Sequence, residues 1–255
     1  MLTTASLLPD GAVDAYRENG FLHLRASFDA ERMAEIRAWT EALSTAPEET
    51  GREWKYFEKS DIDGSRILSR IENFTPFHEG FRKLFTEGAL PEAVGALIGD
   101  EALLFKEKIN FKMRGGAGFE AHQDVQAGWS DYAPRHISVL IAIDAMTPEN
   151  GCLEVLPGAH KDGLLGEMWK PLSDADTGHK PYVQVPCAIG DVLFFDSYLP
   201  HRSGPNRSTD TRRGAYLTYN RASDGDSRAR YHAEKYANYP PDVDRDPDGD
   251  YGYKV

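Results

Sequence analysis

Residues 105–124 read FKEKINFKMRGGAGFEAHQD. Phe105, Ile109, Phe111 and Met113 alternate with Lys106, Lys108, Asn110 and Lys112, the period of two that sends neighbouring side chains to opposite faces of a β-strand. A Gly-rich turn, RGGAGF, follows, and then His122 and Asp124. In an extended chain, residues i and i+2 share a face about 7 Å apart, so a His-x-Asp pair can converge on one metal ion. The same pattern recurs at His160/Asp162 and His232/Glu234, so the tripeptide alone carries little. Position separates the three: only His122 comes after a long alternating strand. His160 lies in the turn LPGAHKDG and His232 in a polar helical tail, and both are read as solvated residues.

A second histidine for such a site is His201, in GDVLFFDSYLPHRSGPNRSTDTRRGAYLTYN at 190–220. A buried apolar strand ends at Pro200 and another extended segment begins near Arg212, so His201 stands at a strand end or tight turn, where a histidine bonded only to backbone is the alternative. Arg212 and Arg213 open the next strand. A guanidinium there offers a planar two-pronged grip on a carboxylate, and a surface arginine is the plain alternative.

Outward from these stretches, extended segments are expected at Ile137–Asp144, Cys152–Leu156, Tyr182–Val185, Asp191–Phe195 and Gly214–Tyr219, bounded by turns such as PENG and AIGD. Many short strands with no helix between each pair predict an antiparallel sandwich or jelly roll. Helices are expected at Val13–Asn19, from Asp29 with Met33, Ile36, Thr40 and Leu43 on one face, at Phe77–Thr86, and at Pro91–Ile98 with Gly99 at its end. The organisation expected is one domain over 1–255: a mainly helical support (1–100), a β core (101–222) and a C-terminal extension (223–255). The polar stretch Lys161–Lys180 and the tail from Ser223, with its DVDRDPDGD run, read as mobile; the former is a candidate lid that orders on co-substrate binding.

Composition narrows the function. The 255 residues carry 29 Lys plus Arg against 41 Asp plus Glu, a net charge of -12, which disfavours nucleic acid and anionic membranes as partners. No apolar run nears the roughly 18 residues of a membrane span; Ile137–Ile143 already contains Ser138. The start, MLTTASLLPDG, has no basic n-region, so a cytoplasmic protein with no protein partner is expected. Cys152 and Cys187 can form neither a disulfide framework nor a four-thiolate metal site and are read as buried small hydrophobes.

With these residues in place the sequence resembles the phytanoyl-CoA dioxygenase family of Fe(II)- and 2-oxoglutarate-dependent oxygenases, from about Ala15 to Asn238. The resemblance is carried by FKEKINFK, the HQD at 122–124, ENGCLEVLPGAH, GDVLFFDSYLPHRSGPN and RRGAYLTYN. It implies a mostly β fold, a double-stranded β-helix (cupin-like jelly roll) with N-terminal helices packed on it. It also implies iron held by His122, Asp124 and His201, and 2-oxoglutarate held by Arg212, with Arg213 as the other candidate and Asn110 and Ser203 as further contacts. Two imidazoles and one carboxylate leave positions open for a bidentate 2-oxo acid and O2. Asp124, which related halogenases replace by a small residue, is present, and hydroxylation is therefore expected.

For the substrate, Lys108 and Asn110 face the pocket if Phe105, Ile109 and Phe111 pack on outer helices, whereas Lys112 is read as solvated. Lys108, Arg135, Arg202 and Arg207 with Trp129, Tyr132 and Tyr198 suggest a cationic and aromatic pocket for a small anionic or zwitterionic molecule. FKEKINFK, HQDVQAGW, SYLPHRSGPN and TYNRASDGD are similar to the bacterial branch acting on 2-aminoethylphosphonate, which makes that compound the leading candidate, hydroxylated beside phosphorus with succinate and CO2 as co-products. Another small metabolite or an acyl substrate is the alternative within the family. Outside it stand a zinc hydrolase on the same three residues and a non-catalytic jelly-roll binding protein.

Overall fold

The computed structural model describes residues 7–249 and 251; MLTTAS at the start and Asp250 of the acidic run lie outside them. Among the described residues eleven strands form two antiparallel sheets. The large sheet contains β1 (Phe21–Leu24), β2 (Trp54–Lys59), β3 (Arg66–Glu72), β4 (Ala102–Lys112), β6 (Ile137–Ala142), β9 (Val192–Asp196) and β11 (Arg212–Arg221), in the order β1-β9-β6-β11-β4-β3-β2. The small sheet contains β5 (Phe119–His122), β7 (Leu153–Val155), β8 (Val183–Val185) and β10 (His201–Ser203), in the order β5-β10-β7-β8. Among the described residues five α-helices accompany them: α1 (Ala12–Asn19), α2 (Ala30–Thr45), α3 (Glu79–Thr86), α4 (Ala89–Ile98) and α5 (Arg228–Asn238).

The period of two sorts the large sheet into two faces. Ile109, Phe111, Ile137, Val139, Ile141, Phe194, Ala215 and Leu217 pack outward with Met33, Ile36, Phe81, Phe85, Val94 and Leu97 of the helices. Leu140, Ala142, Leu193 and Phe195 point the other way and meet Leu153, Val155 and Val185 of the small sheet. The result is three layers, helices on a sheet on a sheet, as expected of the jelly-roll class. Asp29 caps α2 by accepting from Arg32 N, and Gly99 ends α4 in the left-handed region.

Several expectations change. Besides helices, the first hundred residues contribute β1, β2 and β3 to the large sheet. Phe119, read as the end of the Gly-rich turn, instead opens a short strand, Phe119–His122, that His122 ends. A bulge in the β4–β11 pairing turns Phe105 away from the outer helices and onto Trp129, Tyr132, His136 and Tyr231. The tail beyond Ser223 packs back through α5, whose Tyr231 is buried. His160 is buried and lies 3.1 Å from Arg17 O, and His232 is half-buried against the Trp54 ring, so neither is a solvated residue. Among the described residues no helix is long and apolar enough to cross a membrane.

Candidate metal centre and its surroundings

His122 ends β5 and His201 begins β10, and the register pairs them directly across the small sheet. Their rings lie 4.3 Å apart, and Asp124, first residue of the 3-10 turn Asp124–Ala127, brings its Oδ1 to 3.9 Å from His201 Nε2. Each of the three offers a ligand atom within 4.8 Å of the others. His122 Nδ1 lies 2.7 Å from Glu120 O and His201 Nδ1 lies 2.9 Å from Leu199 O. In that arrangement Nδ1–H donates to the carbonyl and both Nε2 atoms keep their lone pairs for a metal. Ser138 of the large sheet donates to Asp124 Oδ2 at 2.6 Å and so fixes the carboxylate.

Electrostatics favour the ligating protonation states. Burial, and then His201, push His122 down to about 3. Burial works to raise the Asp124 carboxyl, but His201, Lys106 and His122 outweigh it and hold it below its usual value. A neutral His122 imidazole, an Asp124 carboxylate and the Nε2 of His201 make a donor set that fits Fe(II). A second cluster, His23, Cys187 and Asp191, is a turn staple: Asp191 accepts from Ala26 N and Ala188 N and lies 2.9 Å from His23 Nε2. Burial pushes the Cys187 thiol up to about 12, away from the thiolate a metal requires.

Neighbouring arginines on β11 divide by parity. Arg213 faces outward into a two-pronged pair with Asp144, with Glu41 at 3.3 Å. Arg212 faces inward and is 2 % exposed; it donates to Gly151 O at 2.7 Å and to Tyr216 Oη at 3.1 Å, while its Nε has no hydrogen bond among the described residues. On the same inner face Asn110 is buried, its Oδ1 unpartnered among the described residues. Lys112 is buried rather than solvated, donating to Ser203 Oγ at 2.7 Å and Gly204 O at 2.6 Å. Burial, and then Arg212, push its ammonium down to about 7. An inward guanidinium with a spare N–H beside a lysine is a fitting seat for the distal carboxylate of 2-oxoglutarate.

Nearer the histidines, Lys106 and Lys108 project from the inner face of β4. Lys106 Nζ sits 3.8 Å from the centre of the buried Trp129 ring, and Lys108 Nζ lies 5.5 Å from Tyr216 and 5.7 Å from Phe119. Both ammonium groups are pushed below the usual lysine range, burial being the main cause; for Lys106 the like charges of Lys108 and Lys235 come next. Glu72 is bound to Arg70 at 2.6 Å and to Lys235 of α5. Burial alone would raise its carboxyl; Lys235, Arg70 and Lys106 hold it well below the usual range.

Other candidates stand elsewhere. Arg135 is on the helix side of the large sheet, 3.5 Å from Asp196 in a groove with Tyr16 and His160. Arg202 alternates away from His201, pairs with Glu154 at 2.7 Å and stacks on Tyr182. Tyr198 Oη donates to Pro134 O, and Tyr132 packs on Tyr231 with its hydroxyl on Glu234. Sequence reasoning missed Lys112, Tyr216 and Ser138. For Lys112 the signal was available, since it shares the strand parity of Lys108 and Asn110.

The sequence profile of the phytanoyl-CoA dioxygenase family matches residues 16–214. A 2-aminoethylphosphonate dioxygenase from an uncultured bacterium, HF130_AEPn_1, is 38% identical over 241 residues, covering 92% of this chain and 90% of its own. A methylphosphonate hydroxylase from Gimesia maris is 40% identical over 235 residues, covering 91% and 88%. The crystal structure of EctD from S. alaskensis with 2-oxoglutarate and 5-hydroxyectoine superposes with a TM-score of 0.75 at 23% identity, over 88% of this chain and 80% of that one, and shares its fold.

Proposed function

The chain belongs to the phytanoyl-CoA dioxygenase family and is a non-haem iron, 2-oxoglutarate-dependent dioxygenase, and on that premise we propose that it hydroxylates a C–H bond of a small phosphonate. 2-Aminoethylphosphonate is the first substrate to test and methylphosphonate the second. The observation that carries this reading is the pair Lys106 and Lys108, two lysines beside Asp124 with no ion-pair partner among the described residues, whose charged form a compact dianion would stabilise.

In this reading His122, Asp124 and His201 hold Fe(II), with Ser138, Glu120 O and Leu199 O orienting them. Arg212 grips the distal carboxylate of 2-oxoglutarate, with Lys112, Ser203 and Asn110 lining the seat. Fe(II) with 2-oxoglutarate and O2 supplies the oxidising power for inserting one oxygen atom into the C–H bond, leaving succinate and CO2. Lys106 and Lys108 place the phosphonate so that its adjacent carbon faces the three ligands, and Trp129 and Phe105 exclude water from that end. The hydrolase and binding-protein alternatives leave the inward Arg212 without a role. The whole chain acts as one catalytic domain, in the cytoplasm, on a free small molecule.

The test is anaerobic titration of Fe(II) and 2-oxoglutarate, followed through the visible charge-transfer band, then succinate release with each phosphonate. A band with phosphonate-dependent succinate is expected. Succinate release that neither phosphonate stimulates would discard this substrate class. Lys108→Ala should raise KM for the phosphonate at least ten-fold with the band unchanged; an unchanged KM removes that lysine from substrate binding.

A further inference from the structure

Between His122 and Asp124 stands Gln123, and two residues beyond Asp124 stands Gln126; both are wholly buried. A buried primary amide is costly unless its donors and acceptor are satisfied, and here they are. Gln123 Nε2 donates to Gly163 O at 2.8 Å and to Tyr198 O at 2.6 Å, and its Oε1 accepts from Leu165 N at 2.7 Å. Gln126 Nε2 donates to Glu167 O at 2.7 Å and Lys170 O at 2.8 Å, and its Oε1 accepts from Gln123 N at 2.8 Å. The stretch 163–172 that receives these bonds has no helix or strand of its own.

That stretch buries little apolar surface: Leu164 and Trp169 are exposed, and Leu172 is its buried anchor. Trp169 N donates to Gln126 O at 3.0 Å, and Leu172 N to Ala121 O at 2.6 Å along the open edge of β5. Gly128 lets the Trp169 ring approach the turn closely, since a Cβ there would come within 2.6 Å of it. Residues 163–172 therefore form a strap whose order depends on amides supplied by the candidate metal motif itself.

We propose that Gln123 is a positioning residue that makes closure of this strap and metal binding a single linked equilibrium. With the strap closed, the Gln123 amide is anchored on both sides and its two neighbours, His122 and Asp124, are held in register. With the strap open, the amide loses Gly163 and Leu165, and the backbone joining the two ligands is released. Linkage is reciprocal, so the factor by which Fe(II) favours the closed strap equals the factor by which closure tightens Fe(II). The inference rests on the metal site proposed above.

Trp169 reports the strap, because chymotrypsin cuts after it only in the open form. In the full chain, anaerobic Fe(II) plus 2-oxoglutarate should slow cleavage after Trp169 by about ten-fold, the lower end of what orienting partners of metal ligands contribute. Gln123→Met, which keeps bulk and removes the amide, should speed that cleavage, abolish its protection by the ligands and weaken Fe(II) about ten-fold in the band titration. Leu172→Ala loosens the strap without altering a side chain of the metal motif, and it should weaken Fe(II) in the same direction. Faster cleavage in both variants with Fe(II) affinity unchanged would overturn the linkage, as would wild-type cleavage indifferent to Fe(II). A wild type that shows no band would overturn the metal reading and this proposal together.

Discussion

The large and small sheets achieve order by different means. In the large sheet, β11 pairs along its whole length with β4 and along most of it with β6, and its outward residues are sealed by α2, α3 and α4 in one apolar cluster. The small sheet has strands of three or four residues, and it carries both candidate histidines. Short ladders fix position poorly. Here polar side chains supply the difference: Ser138 reaches across to Asp124, Lys112 to Ser203 and Gly204, Arg212 to Gly151, and Gln123 and Gln126 to the strap. The apolar sheet sets stability and the polar one sets geometry, and variants should separate the two.

The sharpest separation is expected from Asp124→Ala. It should abolish Fe(II) binding and turnover while the melting temperature falls by only a few degrees, because no apolar packing is lost; a large fall in melting temperature would mean that the site also holds the sheets together. Ile141→Ala should do the reverse. Emptying a wholly buried position between β6 and the helices should cost about 2–5 kcal/mol in urea unfolding with the Fe(II) band of the folded fraction intact.

Adjacent arginines give a finer comparison. Arg212→Ala should raise KM for 2-oxoglutarate by about a hundred-fold, the scale of about 3 kcal/mol lost when one partner of a buried charge pair is removed. Arg213→Ala should leave that KM unchanged and lower stability instead, since it breaks the pair with Asp144. Equal effects in KM would erase the inside-outside distinction drawn for β11.

The smallest effect is one of pH. Lys112 is held at about 7, below its ordinary 10.5, so between those values the unfolded chain binds more protons and stability rises with pH. Lys112→Met removes that contribution, and urea unfolding from pH 7 to 10 should show a flatter rise than in the wild type. Identical slopes would mean that Lys112 titrates as it does in water.

Much of this was legible beforehand. The alternation in 105–113 marked β4, the buried face of α2 was read from Met33, Ile36, Thr40 and Leu43, and the three candidate ligands were named. β2 and β3 escaped because charged residues occupy buried positions on them, so hydrophobic period fails. Lys55 turns in to donate to Ser44 O and Ala46 O at the C-terminal end of α2, while Arg70 and Glu72 pair with each other under α5. Arg135 and Arg202 were misplaced for a related reason: proximity in sequence to a ligand says nothing about which face of a strand a side chain takes.

By itself, then, the sequence determined the class of fold, the donor types and their order along the chain, because periodicity and turn chemistry are local. Which arginine faces inward, that Lys112 is buried beside it, that Phe105 bulges onto Trp129 and that two glutamines hold a strap were decided by the tertiary structure. Those outcomes depend on register, bulges and packing between segments distant in sequence, and no local pattern carries that information.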